Sequence, residues 1–416
     1  MDAELTLSVA DTSLDPYLRA FNPELSPFTT AVASGSIRVV GELADIDHLL
    51  VDATVDRLDL RLFDYRLRNA TPIRMALDRH SVRISEMRLA GEDTQLDISG
   101  LVNLHDERIA VRAMGDAGMG ILQGFVPNIR SSGRAMLEAT FEGPMRDPQV
   151  TGTMTVENGR IRHFDLPHAL ENISGPVRFD TRGVRLDELT AQLGGGPVRF
   201  GGTIDIERYR PVRVDVQMMG ENMRLRFPEG MRSLVDANLR VQGPVEGPVL
   251  AGTVVVRNAV YTKPIGSAGS IFDLNSANTT TSGGGGGAAA TTVPLTYDVQ
   301  ITAPSTLHVE TNQVQVAATA DLQLRGTYDR PLLFGRAEID RGNFTFEGRR
   351  YTVTRGTIDF NNPVRIQPFF DLETETRIRV PGQTYRVIAH AAGTFDRLNF
   401  SFDADPPLPE VERSEE

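Results

Sequence analysis

Apolar and polar residues alternate along this chain with a period of two. Val314, Val316, Ala318, Ala320, Leu322 and Leu324 hold the even positions, with Gln315, Ala317, Thr319, Asp321 and Gln323 between them. Val212-Arg-Val-Asp-Val-Gln-Met218 and Leu398-Asn-Phe-Ser-Phe402 alternate in the same way, and Tyr297-Asp-Val-Gln-Ile301 and Tyr385-Arg-Val-Ile-Ala389 carry the same period. Successive side chains of a strand point to opposite faces, so this spacing gathers the apolar groups on one face of a sheet and the polar groups on the other. Two all-β architectures satisfy the pattern: a β-sandwich, or one long sheet curved on itself with an apolar concave face and a wet convex one. Alternation alone does not separate them.

One strand-turn-strand phrase is written three times. It reads Gly143-Pro-Met-Arg-Asp-Pro148-Gln-Val-Thr-Gly152, then Gly243-Pro-Val-Glu-Gly-Pro248-Val-Leu-Ala-Gly252, then Gly326-Thr-Tyr-Asp-Arg-Pro331-Leu-Leu-Phe-Gly335. A second turn is expected at Asn158-Gly159, Asn258-Ala259 and Arg341-Gly342, and a looser copy of the phrase starts at Gly393. Recurring units of this kind predict a repetitive, elongated architecture that works through a long surface. Helical pattern is scarce. Ser13–Phe21, Asp165–Asn172 and Pro228–Val235 each predict a short helix that covers the sheet, and Ala113–Ser132 reads as weakly structured. A flexible loop is expected over about 275–292, around Ser282-Gly-Gly-Gly-Gly-Gly-Ala-Ala-Ala290. The expected division is an N-terminal β-repeat region with short helices over 1–135 and a C-terminal β-domain over 136–416, ending in a disordered tail at about 409–416.

Composition narrows the function. Among 416 residues there are 38 glycines, 24 prolines and no tryptophan, which suits many short strands and turns. A net charge of −12 argues against nucleic acid as a partner, since phosphate neutralisation needs a basic face. The absence of cysteine removes disulfides, thiolate metal sites and cysteine nucleophiles, and fits an oxidising compartment. The first residues carry neither a basic flank nor an apolar stretch, and no apolar run approaches the roughly 20 residues of a membrane-spanning helix. The charged end reads as a cut through a longer chain.

Catalytic and cofactor motifs are missing too. Gly115-Asp-Ala-Gly-Met-Gly120 has the wrong spacing for a dinucleotide turn, and no phosphate loop or nucleophile elbow occurs. His163 and His168 do not have a zinc spacing, Asp403-Ala-Asp405 lacks the further ligands of a calcium loop, and no glycosidase-like carboxylate pair stands out. The sequence reads as a non-enzyme with no catalytic residues, metal ligands or cofactor.

Between Tyr297 and Leu408 the chain resembles the C-terminal domain of the TamB family, within the AsmA-like bacterial envelope proteins. The resemblance rests on Leu324-Arg-Gly-Thr-Tyr-Asp-Arg-Pro-Leu-Leu-Phe-Gly335, Arg341-Gly-Asn-Phe-Thr-Phe-Glu-Gly-Arg-Arg-Tyr351 and Arg355-Gly-Thr-Ile-Asp-Phe-Asn-Asn-Pro363, with Ile366–Leu372 and Phe402–Leu408. Leu193–Ile204 and Asn172–Phe179 resemble the family's repeat units. The resemblance implies a taco-like, U-shaped sheet with an apolar concave groove. It also implies a place in the periplasm of a Gram-negative-type bacterium and an inner-membrane anchor absent from this chain. The implied partners are phospholipid, carried between membranes, and an outer-membrane barrel protein of the BamA type. The expected groove lining is Val212, Val214, Val216, Val314, Val316, Leu322, Leu324, Phe400 and Phe402. The alternative function is a scaffold for outer-membrane protein assembly, whose open sheet edges pair with client strands. A β-solenoid adhesin is a weaker third reading, because the repeat units are long and unequal.

Overall fold

The computed structural model describes residues 2–21, 29–42, 50–62, 65–78, 80–124, 129–145, 147–164, 167–207, 210–226, 230–263, 295–346, 348–394 and 397–407. The loop expected over 275–292 and the tail expected over 409–416 lie outside these residues. The described chain is nearly all β and repetitive, with one α-helix, α1 (Asp15–Phe21), and one 3-10 helix (Met119–Gly124). It divides into two units, Met1–Leu193 with Arg199–Arg213, and Gly194–Val198 with Val214–Glu416.

The first unit contains β1 (Asp2–Ser13), β2 (Thr29–Glu42), β3 (Leu50–Leu62), β4 (Tyr65–Asn69), β5 (Ile73–Asp78), β6 (Ser81–Gly91), β7 (Thr94–Asn103), β8 (Arg108–Gly118), β9 (Ile129–Pro144), β10 (Gln149–His163), β11 (Leu170–Asp180) and β12 (Gly183–Leu193). Each pairs antiparallel with the next, save that β4 and β5 share one place between β3 and β6. Pro72 lies in the break between them, where its missing N–H cannot cost a ladder bond. Register carries one apolar face across the unit: Ile98 opposes Ala113, Val111 opposes Phe141, and Met154 opposes both Leu137 and Val177.

That face curls around the 3-10 helix. Met119 is buried with Ala135, Val156 and Ile173 of β9 to β11, while Ile121 packs against Tyr65 and Leu67 of β4. In a flat sheet β4 and β9 would stand about 20 Å apart, at ~4.8 Å per strand step. One six-residue helix lying against both requires the sheet to bend toward its apolar side. The Tyr65 hydroxyl bonds the Glu92 carbonyl and the Thr94 hydroxyl, which in turn accepts from the Gly118 N–H at 2.7 Å. The start of the helix is thereby fastened over β4 and β7.

β13 (Gly196–Glu207) and β14 (Arg210–Leu225) each contribute residues to both units. The second unit continues with β15 (Met231–Pro244), β16 (Val249–Tyr261), β17 (Thr296–Glu310), β18 (Val314–Thr327), β19 (Pro331–Phe346), β20 (Arg349–Phe360), β21 (Pro368–Val380), β22 (Gln383–Thr394) and β23 (Arg397–Asp405). From β15 to β23 each strand pairs with the next, antiparallel except for the parallel pair β16–β17. A parallel pair needs the chain to travel back the length of a strand, which accounts for the long connection between Tyr261 and Thr296. Among its described residues, the strands of this unit make their substantial contacts only with sheet neighbours. Among the described residues no second layer of the unit closes on the apolar face, as a sandwich would need.

The Gly-Pro phrase makes the expected turns. All three carry the same bond at the same offset: Asp147 N–H to Pro144 O, Gly247 N–H to Pro244 O and Arg330 N–H to Thr327 O, each 3.1 Å. The second turn is not a turn. Asn158-Gly159, Asn258-Ala259 and Arg341-Gly342 lie within β10, β16 and β19, beside register shifts. They are bulges, in which one extra residue bends a strand without ending it. Helical expectations divide similarly. Ser13–Phe21 contains α1, whereas the segments around Asp165–Asn172 and Pro228–Val235 run into β11 at Leu170 and β15 at Met231. Cross-strand pairing overrides their weak local pattern. Ala113–Ser132, expected to be weakly structured, holds the end of β8, the 3-10 helix and the start of β9.

Candidate functional site

In the second unit, register gathers most of the sequence-predicted residues onto one face. Leu324 and Leu322 of β18 oppose Val299 and Ile301 of β17, and Val316 opposes Val309. Across the other edge of β18, Val314 opposes Phe344 and Leu324 opposes Leu333. The same side continues through Ile358, Phe370 and Leu372 to Ala391 and Ala389, which oppose Phe400 and Phe402 of β23. Val314, Val316, Leu322, Leu324, Phe400 and Phe402 therefore look the same way. At the other end of the unit, Asp215 binds Arg240 through two hydrogen bonds of 2.6 Å. Since Arg240 alternates with Leu239 and Val241, this pair lies on the opposite face, and Val214 and Val216 join the apolar one. Val212, half-buried on β14, belongs to the first unit.

Small side chains form the floor of this face. Ala303, Ala318, Ala320, Ala337 and Ala389 are buried beneath half-buried valines and leucines. Phe400 and Phe402 are 61% and 58% exposed, because no described strand pairs with the outer edge of β23. Tyr297 stands on the same side, opposite Gly326, and burial pushes its hydroxyl pKa up to about 12, with Tyr328 and Asp329 adding to the shift.

The opposite face is ionic. Arg336 bonds Asp359, Arg257 bonds Asp236, and Arg386 reaches Glu375 at 2.7 Å. In the first unit Arg57 and Arg68 converge on Asp59 and hold its carboxyl below the usual range. The hydrogen bond from Arg240 does the same to Asp215. These exposed pairs contribute little stability singly, about 0–1 kcal/mol each. They keep the polar face charged and wet.

Four strand residues of positive φ, three of them at bulges, share one construction. Asp11, Asn158, Asn222 and Ser305 have φ of 44°, 51°, 52° and 54°. Each offers its N–H to a side-chain oxygen on the next strand: Ser34 at 2.9 Å, Ser174 at 3.3 Å, Asp236 at 2.8 Å and Thr319 at 3.0 Å. A bulge leaves a donor outside the ladder, and these oxygens satisfy it. The Asn222 N–H is the largest cause of the lowered Asp236 pKa, with Arg257 second.

Several residues of the apolar face escape a search for alternation. Phe344, Ile358, Phe370 and Leu372 belong to it by register, yet bulges beside Arg341 and Thr354 shift the period in β19 and β20. In β21, Phe369 is apolar but lies on the ionic side, opposite Asp359, and hides the pattern. In the first unit Ile98, Val111, Leu137 and Met154 line the equivalent face, and tracing them needs the register.

Among the described residues no helix is long and apolar enough to cross a membrane, and no group of His, Cys, Asp and Glu has the arrangement of a metal site. Residues 185–413, more than half of the chain, match the TamB C-terminal domain family. No curated protein matches the chain.

Proposed function

The chain belongs to the TamB family of bacterial envelope transport and assembly proteins, and from that premise we propose that its apolar face carries phospholipid acyl chains across the periplasm. The observation that carries this reading is the largely apolar side that register carries from Val299 to Phe402, with no second layer of its own unit over it among the described residues. Each CH₂ left in water costs about 0.8 kcal/mol, so a 16-carbon chain faces on the order of 12 kcal/mol in an aqueous gap. A face lined by Val214, Val216, Val314, Val316, Leu322 and Leu324 removes that cost at every step. The headgroup stays at the wet margin. Such a surface binds weakly at many places, which lets cargo slide.

Photo-crosslinking tests the face directly. A benzoylphenylalanine placed at Leu322 in cells should capture phospholipid, and one at the adjacent Gln323, on the ionic side, should not. Equal capture at the two positions contradicts the reading.

The open edge of β23, with Phe400 and Phe402 exposed beside it, supports a second reading. Here the chain is an assembly scaffold whose edge adds a client strand or meets an outer-membrane barrel of the BamA type. The two readings separate at Leu322. A scaffold keeps its edge pairing when Leu322 becomes Asp, whereas a conduit loses its cargo.

A further inference from the structure

On the ionic side of the second unit, β17, β18 and β19 form an open hollow of about 580 Å³. Register sets six outward residues in two rows of three. His308, Ala317 and Arg341 face one another across the strands, and Glu310, Gln315 and Asn343 form the row beside them. Ala317 is only 6% exposed although it points to the wet side. Its single methyl is the floor, and the longer side chains are the walls.

Charge pairing on this face is partial. Arg336, Arg257 and Arg240 on this face each hold a carboxylate. Among the described residues, the side chains of Arg341, Glu310, His308, Gln315 and Asn343 have no ion-pair or hydrogen-bond partner. The hollow therefore offers a cation at one end, an anion at the other and two amides, all with unused bonding capacity. Its volume lies in the range of small-molecule sites, roughly 300–1,000 Å³.

We propose that this hollow binds a short zwitterionic peptide, with the free carboxylate on Arg341 and the free ammonium on Glu310. Spacing selects this class. Glu310 and Arg341 stand two strand steps and one two-residue step apart, roughly 12 Å between Cα atoms. An extended tripeptide spans roughly 10 Å, so its ends reach both charges once the side chains lean inward. A phosphoethanolamine headgroup carries its charges only a two-carbon linker apart, so both side chains would have to lean much further inward to meet it at its two ends. A dianionic phosphate is disfavoured by Glu310. The Gln315 and Asn343 amides each donate and accept, which matches a peptide backbone between the two ends.

Calorimetric titration of the full chain with tri-alanine is the test. One saturable site is expected, and N-acetylation or C-amidation of the peptide should each weaken binding at least tenfold. In Glu310→Gln the acetyl group should cost nothing further, and in Arg341→Gln the amide should cost nothing further. Ala317→Tyr should fill the floor and abolish binding, with the melting temperature reporting that the variant is folded. Should that variant fail to fold, the two charge variants still decide the matter. Absence of a saturable site on folded protein overturns the proposal. So does tighter binding of glycerophosphoethanolamine than of tri-alanine, or binding indifferent to both end-blocks.

Discussion

Asp236 does two tasks at once. It accepts the N–H of Asn222, a residue of positive φ, at 2.8 Å and the Arg257 guanidinium at 2.6 Å, and both hold its pKa below the ordinary carboxylate value. A group whose folded pKa is depressed adds stability that is present above its unfolded pKa and lost as pH falls through the folded one. Asp236→Asn should therefore lower the melting temperature near neutral pH, and the gap to the parent should close below about pH 4. A gap that persists unchanged into acid would mean that packing, not charge, is what Asp236 supplies. Glycine at the tenth position of the repeated phrase has an equally local cause. At Gly252 and Gly335, with φ of 136° and 117°, a Cβ would meet the backbone oxygens of Asn238 and Asp321 on the facing strand. The glycines were legible in the sequence as a spacing, but the close approach of the strands was not. Asp236 gave no signal at all, because its partners lie 14 and 21 residues away.

At the scale of the element, the bulge distinguishes this sheet from a simple meander. Alternation revealed the strands, and the Gly-Pro phrase revealed the turns between β9 and β10, β15 and β16, and β18 and β19. Asn-Gly and Arg-Gly pairs within β10 and β19 read as further turns, because turns and bulges draw on the same residue types, and Asn158 takes a positive φ of 51° inside its strand. What separates them is the partner across the ladder, such as Ser174 for Asn158 or Thr319 for Ser305. Thr319 also donates to Asp340 at 3.0 Å, and Ser305 reaches the same carboxylate at 2.8 Å. Thr319→Val keeps the shape and removes these bonds. It should cost about 1 kcal/mol locally and speed amide exchange at Ser305 roughly fivefold, read by hydrogen–deuterium exchange. Unaltered exchange would mean that the bulge holds without its cap. The 3-10 helix was hidden for a related reason. Met119-Gly-Ile-Leu-Gln-Gly124 has little helical pattern of its own and is held by Tyr65, Thr94 and the apolar strands beneath it.

Across the molecule, each unit keeps apolar groups on one side of its strands and ionic groups on the other. Alternation in β14, β18 and β23 sufficed to choose Val214, Val216, Val314, Val316, Leu322, Leu324, Phe400 and Phe402, which register then places together. The rest of that side was unreadable wherever a bulge shifts the period, as in β19 and β20. An uncovered apolar surface of this length is an aggregation hazard in water unless something apolar occupies it. Lipid mass spectrometry of the chain, purified from cells in detergent-free buffer, tests the central claim most directly. The account predicts co-purified phospholipid in an amount that falls severalfold when Val316 and Leu324 are both changed to Asp in a protein that remains folded. A well-folded chain that carries no lipid, or a lipid load indifferent to those two charges, would contradict it.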